Sequence, residues 1–322
     1  VFIVSLLAFA ALSVDVGNVY VQRARVQEAG DSAAMASVVD WATGATADVV
    51  ADRARSFAQA NGIPSNEVKT VRCGVWEQAS RTFIEQSTFT SSQVPAVEVT
   101  NQRVVPLQFG RAIGLSAMSP KTVSVAAVAS AIGAAGVLPW ATCDSFTPVK
   151  CATVSIQIKD SGEENACLGG GPFSGNFGQI SLGGSGSSVY KNNIVTGYQN
   201  VLHVGDCIYT DPGVSWGPTK QGIDDRLKGV DPYVCTPTSP PPDKDGNPNN
   251  DRRLGYIPVV ESLDVSGKKA SCITGFYTVS LDGYDNSSKS VTVTFIDAYG
   301  GTEIDPTKPP APGVLKAVGL VK

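Results

Sequence analysis

The chain has 322 residues, 17% of them charged, with a net charge of −4, 33 glycines, 20 prolines, seven cysteines and one histidine. The acidic balance offers no basic face for nucleic acid, and His203 alone leaves no His-rich zinc site and little room for histidine acid–base chemistry. The cysteines stand singly with no Cys-x-x-Cys pair, so a zinc ribbon is excluded, and the length exceeds one ordinary domain.

Residues 1–14 read VFIVSLLAFAALSV, with only Ser5 and Ser13 polar, before Asp15 interrupts. A membrane-crossing helix needs about 20 apolar residues, so this run is short by itself. The sequence does not open on Met, which reads either as processing or as a start inside a longer span; a cleaved signal peptide competes, but the helical pattern runs straight on. Beyond Asp15 the chain is rich in Ala, Val, Gln and Arg and free of Pro, which suits a helix to about residue 45. Val19, Arg23, Val26 and Gly30 form one stripe, and Ala29, Ala33, Ala36 and Asp40 another. Gly30, Ala33, Ala34 and Ala36 are small enough to let a neighbouring helix approach. Asp15 reads as a carboxylate at a membrane rim satisfied by water, or as a buried helix contact. After Thr43-Gly44, Thr46 caps a second helix that Asn61-Gly62 and Pro64 end.

Helical periodicity fades from Val68. Glu67–Trp76 and Arg81–Phe89 read as a hairpin, Ala96–Thr100 alternates, and Lys121–Ala129 reads as a half-buried or buried strand. These predict a small α+β module at 46–133. Residues 134–322 are punctuated by Gly169–Gly171, Gly183–Gly186 and Thr236–Pro242. Strands are predicted at Thr153–Ile158, Phe177–Leu182, Val201–Val204, Ile257–Val260, Ser271–Ser280, Ser290–Asp297 and Leu315–Val321. The predicted fold is therefore α+β: a long N-terminal hydrophobic helix (1–45), a small α+β module (46–133), and an irregular, disulfide-braced, all-β exported module (134–322).

Six cysteines fall in that last module: Cys143, Cys151, Cys167, Cys207, Cys235 and Cys272. Their even number suits an oxidising compartment. Fifteen pairings are open; Cys143 with Cys151 is favoured for closeness in sequence. Cys73 is left over, as a buried thiol or as an inter-subunit or inter-module bridge. Asp243, Asp245, Asn247 and Asp251 offer alternating oxygen ligands for calcium. Pro248 and Leu254 stand where an EF-hand needs Gly and Glu, and a solvated polar loop is the commoner outcome. No other cofactor is indicated. Ser185 or Ser188 can be lined up on paper with His203 and Asp206, but no Gly-x-Ser-x-Gly surrounds either serine. No enzymatic activity is expected.

Ser13-Val14-Asp15-Val16-Gly17, then Tyr20, then Gln27–Ala36 (QEAGDSAAMA) resemble the N-terminal signature of TadE/TadG-like pilus-assembly proteins. In that pattern an apolar span ends in Asp-x-Gly and an Ala-rich helix follows. Ala58–Gly62 resembles the family too, as do Val94–Phe109, Val123–Ala131 and Gly175–Gly213 more loosely. The resemblance implies a pilin-like protein of the tight-adherence machinery. One N-terminal helix would carry an exported β-rich region. Ser5 stands where type IV pilins carry Glu, if Val1 is the mature start. The implied role is a structural subunit of an extracellular filament. It would sit in the inner membrane before assembly and then polymerise with copies of itself through Asp15, Gly17, Gly30, Ala33, Ala34 and Ala36. The alternative is a single-span envelope protein that anchors or assists pilus assembly and adhesion.

Overall fold

The chain opens as one helix, α1 (Phe2–Ala42), of 41 residues. The structure is a computed structural model that describes residues 2–143, 148–157, 178–211, 215–244, 247–263 and 267–322, with side chains from residue 11 onward. Among the described residues, no helix is long and apolar enough to cross a membrane. The long helix therefore forms, but the hydrophobic, spanning character expected of it does not follow. The reason is Asp15, which ends the apolar run after roughly 20 Å of helix rise, against about 30 Å of bilayer hydrocarbon.

The chain divides into two compact units. The first is residues 1–129 with 306–309 and 318–322; the second is residues 130–305 with 310–317. The helix that the sequence sets apart as residues 1–45 thus belongs to the same unit as most of 46–133. The last five residues, read as part of the C-terminal module, belong there as well.

In the first unit, α2 (Ala47–Ala60) and the second half of α1 pack together. Val50, Ala54 and Ala58, four residues apart, are the buried face of α2, as helical spacing requires. Val26, Ala29, Ala33 and Val38 of α1 are all without exposure. The sheet is antiparallel and runs β2–β1–β3–β6, with β1 Val68–Glu77, β2 Thr82–Glu85, β3 Val94–Gln102 and β6 Lys121–Ala131. Strand β3 packs against α1, and nearly all of it is buried. A short ribbon, β4 (Val105–Pro106) with β5 (Ala117–Met118), interrupts the path from β3 to β6. The C-terminal strand Lys316–Leu320 pairs with β6. There Val125 N donates to Lys322 O at 2.8 Å and Val321 N donates to Val125 O at 2.9 Å.

The second unit is built on a long strand, Ala270–Asp285, paired antiparallel with Leu254–Val260, Ser290–Phe295 and Cys207–Thr210. Thr153–Gln157 extends the sheet beyond Ser290–Phe295. Its core holds Trp140, Ile257, Val279, Val293 and Phe295. The unit is not all-β. Two helices, α3 (Ser187–Thr196) and α4 (Trp216–Leu227), pack against each other. Gly217, Pro218 and Gly222 disguise α4 in the sequence. Pro218 lies in the first turn, where no backbone donor is needed, and a Cβ at Gly222 would come within 2.9 Å of Ile194 Cβ. Glycine is therefore what lets the two helices touch. Buried Arg226 on α4 joins them: Nη1 donates to Ile194 O at 2.8 Å, Nη2 to Leu254 O at 2.6 Å and Nε to Arg252 O at 2.7 Å.

Candidate functional site

The sharpest local arrangement centres on Asp15. It is 2% exposed, between Val14 at 58% and Val16 at 57%. So the helix around it is largely open to solvent, and a short loop meets the carboxylate. Oδ1 accepts the backbone N–H of Gln108 at 2.7 Å, and Oδ2 accepts those of Phe109 at 2.9 Å and Gly110 at 2.6 Å. Burial pushes the carboxyl pKa up, but the three amides together outweigh it and hold the group below its ordinary value. Asp15 is thus satisfied neither by water nor by another helix, as the sequence suggested, but by its own chain some ninety residues on. Gly110 must be small here, because a Cβ would meet Leu107 Cδ1 at 2.8 Å and Leu115 O at 2.9 Å.

A second anchor lies further along α1. Arg103, at the end of β3, donates from Nε to Glu67 Oε2 at 2.7 Å, from Nη1 to Gln22 Oε1 at 3.0 Å and from Nη2 to Gly62 O at 3.1 Å. One guanidinium therefore ties α1 to the turn after α2 and to the entry of β1, using the fixed fork that lysine lacks. Next comes Gly30, buried where α1 crosses the sheet. A Cβ there would lie 2.5 Å from Asn101 Nδ2 and 2.8 Å from Ser124 Oγ. Both partners are fully buried. Asn101 Nδ2 reaches Val26 O at 3.5 Å, and Gln27 Nε2 donates to Ser124 Oγ at 3.0 Å. At the end of the helix, Trp41 Nε1 donates to Gly74 O at 2.8 Å.

The residues named for helix assembly therefore fall into two groups. Gly30, Ala33 and Ala34 are buried within this unit, and Ala36 is half-buried. In this arrangement they seat α1 on its own sheet and on α2, and they offer no face to a neighbouring copy. Gly17 is exposed, with nothing within 4 Å of an added Cβ. The exposed part of α1 between Leu12 and Val21 carries apolar Leu12, Val16 and Tyr20, four residues apart, with Val14 and Val21 beside them and polar Ser13 and Asn18 among them. Gln108–Gly110, Asn101, Ser124 and Arg103 escaped the sequence reading. They are ordinary polar residues in loops and strands, and only the folded path brings them to α1.

The other candidates are less concentrated. Cys151 is bonded to Cys235 and Cys207 to Cys272, so the favoured Cys143–Cys151 pairing is wrong. Proximity in sequence lost to strand register, since Cys207 and Cys272 lie directly opposite each other. Cys143 is itself disulfide-bonded; Cys167 lies outside the described residues. Cys73, on β1, is free and buried, and burial, with Glu85 adding, pushes its thiol up to about 11. It stays a protonated, unreactive thiol near neutral pH. Replacing both Cys151 and Cys235 by serine should lower the stability of the second unit by about 2 kcal/mol. It should also open residues 231–244, which have little regular structure, to protease; mapped limited proteolysis checks this.

Of the calcium candidates, Asp245 lies outside the described residues. Asn247 Nδ2 donates to Asp231 Oδ2 at 3.1 Å, Asp251 opens a single 3-10 turn, and Asp243 lies 3.7 Å from Lys244 Nζ. Among the described residues, no group of three or more His, Cys, Asp or Glu could hold a metal ion. His203 Nδ1 lies 3.8 Å from Asp206 Oδ2 and its Nε2 lies 4.0 Å from Glu303 Oε1. Neither Ser185 nor Ser188 is among its hydrogen-bond partners.

Comparison with known families matches the first unit. A Tad-like Flp pilus-assembly family model covers residues 24–129, and a TadE/G-like Flp pilus-assembly model covers residues 1–40. Their joint end at residue 129 coincides with the end of the first unit's main segment. No curated protein and no solved structure matches the chain. These are assembly families of the envelope and its exterior, not enzyme families. Over residues 1–129, the chain is therefore similar to TadE/TadG-like pilus-assembly proteins.

Proposed function

We propose that this protein serves pilus assembly from the inner membrane, with the apolar run 1–14 of α1 embedded in the bilayer and the rest of the chain outside it. The observation that carries this reading is the change in α1 along its length. From Val26 onward the helix is seated on its own unit, whereas around Asp15 its large apolar side chains Leu12, Val14 and Val16 are exposed. Exposed apolar surface of that kind marks a membrane or a partner. Fractionation of cells producing the full chain tests it. The expected result is retention in the inner-membrane fraction and release when Leu6 and Ala8 are both replaced by Arg. Recovery of the unaltered chain as freely soluble protein sinks the reading.

The filament-subunit reading is the second. It loses Gly30, Ala33 and Ala34 as an interhelical face, but the exposed stripe Leu12, Val16 and Tyr20 favours it. That stripe is wide enough to meet the helices of neighbouring copies. Sheared cell-surface material viewed by electron microscopy separates the two readings: regular filaments containing this chain favour the second.

A further inference from the structure

We propose that the loop 104–120 is a membrane-docking foot that rests on an anionic lipid surface beside α1. The inference builds on the membrane reading above and adds a second point of contact.

Its first support is position. The amides of Gln108, Phe109 and Gly110 are bonded to the carboxylate of Asp15, and Asp15 is where the apolar run stops. Any surface that the helix enters at Asp15 is therefore met by this loop as well. The second support is what the loop displays. Residues 111–119 are all exposed. Among the large apolar side chains that it turns to solvent are Phe109, Ile113, Leu115 and Met118, with Ile113 at 69%. The loop is not loose. Leu107 N donates to Ser116 O at 3.0 Å, Leu115 N to Gly110 O at 2.9 Å and Gly114 N to Arg111 O at 3.1 Å. A hydrogen-bonded loop that keeps four large apolar groups in water is poorly explained by its own unit, since such groups normally find cover.

Charge selects the occupant. In a chain of net charge −4, residues 99–143 contain no Asp or Glu, nor do residues 16–27. Arg23, Arg25, Arg111 and Lys121 in these stretches are exposed. Exposed apolar side chains that share their stretch of chain with Arg111 and Lys121, and whose one bonded carboxylate, Asp15, is buried, complement a layer of acidic headgroups over acyl chains. A second acidic copy would need its own complementary face, and the same stretches supply none.

The test places the full chain in vesicles of phosphatidylcholine, with and without phosphatidylglycerol, and follows flotation and amide exchange over residues 104–120. A variant with Ile113→Asp and Leu115→Asp is run beside it. Both side chains are exposed, so the fold is expected to stand, and the Asp15-bonded amides report on that. The expected result is flotation of both proteins, with exchange at 111–119 slowed severalfold by anionic vesicles in the parent and not in the variant. Flotation with no slowing overturns the foot and leaves the membrane reading intact. Failure to float overturns both. Slowing that depends on protein concentration and not on the acidic lipid assigns the surface to a second copy and also overturns the proposal.

Discussion

Replacing Gly30 by leucine should unseat α1 and cost the first unit about 3 kcal/mol or more. The position has no slack. A Cβ alone would lie 2.5 Å from Asn101 Nδ2 and 2.8 Å from Ser124 Oγ, and neither partner can swing into solvent, because both are fully buried. Their hydrogen bonds to Val26 O and from Gln27 would be disturbed together. Overpacking a closed core by one methylene is felt, and a whole leucine forces the backbones apart. Gly17→Leu on the same helix is the control. Nothing lies within 4 Å of its added Cβ, and leucine is the better helix former by several tenths of a kcal/mol. Thermal unfolding of the two variants should move in opposite directions or leave Gly17→Leu unchanged. Equal losses in both would show that Gly30 is not a packing position.

Asp15→Ala should free the loop that follows β4 while leaving the sheet in place. Three amides lose their only charged acceptor, and a buried donor left unpaired costs free energy that a solvated one does not. Exchange at Gln108, Phe109 and Gly110 should quicken on the order of a hundredfold, with β3 and β6 amides unchanged. The pH dependence has a defined sign. The Asp15 pKa lies below 3.8 in the folded chain because three backbone amides outweigh burial. A depressed carboxyl contributes stability that is fully present above the unfolded value and is lost as pH falls through the folded one. The clamp should therefore hold unchanged from neutral pH down to the unfolded value and open only below it. Opening near pH 6 would mean that another group governs the loop.

Much of the first unit was legible because it follows short-range rules. Apolar spacing on α2 and the Thr46 and Asn61-Gly62 boundaries each state a local preference that the fold respects, and Ala96–Thr100 forms a strand, though one buried on both faces where the alternation pointed to one. The second unit was read less well where local rules conflict with packing. Helix α4 carries two glycines and a proline yet forms, because Gly222 lets it lie against Ile194 and Arg226 supplies donors to carbonyls of both neighbours. The disulfides were misread for the same reason: the folded path pairs cysteines 65 and 84 residues apart, the first pair by strand register, not by closeness in sequence.

The small-residue stripe shows the division most clearly. Composition and spacing establish that Gly30, Ala33 and Ala34 permit a close neighbour, since backbone approach depends only on missing side-chain atoms. They do not say which neighbour, and the fold answers with the chain's own sheet and second helix. Asp15 is the complementary case. The sequence by itself determined an acidic charge count, an apolar run halted by a carboxylate, an Ala-rich helix behind it, and the resemblance to the TadE/TadG-like family. Only the tertiary structure decided how that carboxylate is satisfied. A carboxylate draws whatever donors the folded backbone brings near, and here the chain returns at residues 108–110 with three N–H groups aimed at it.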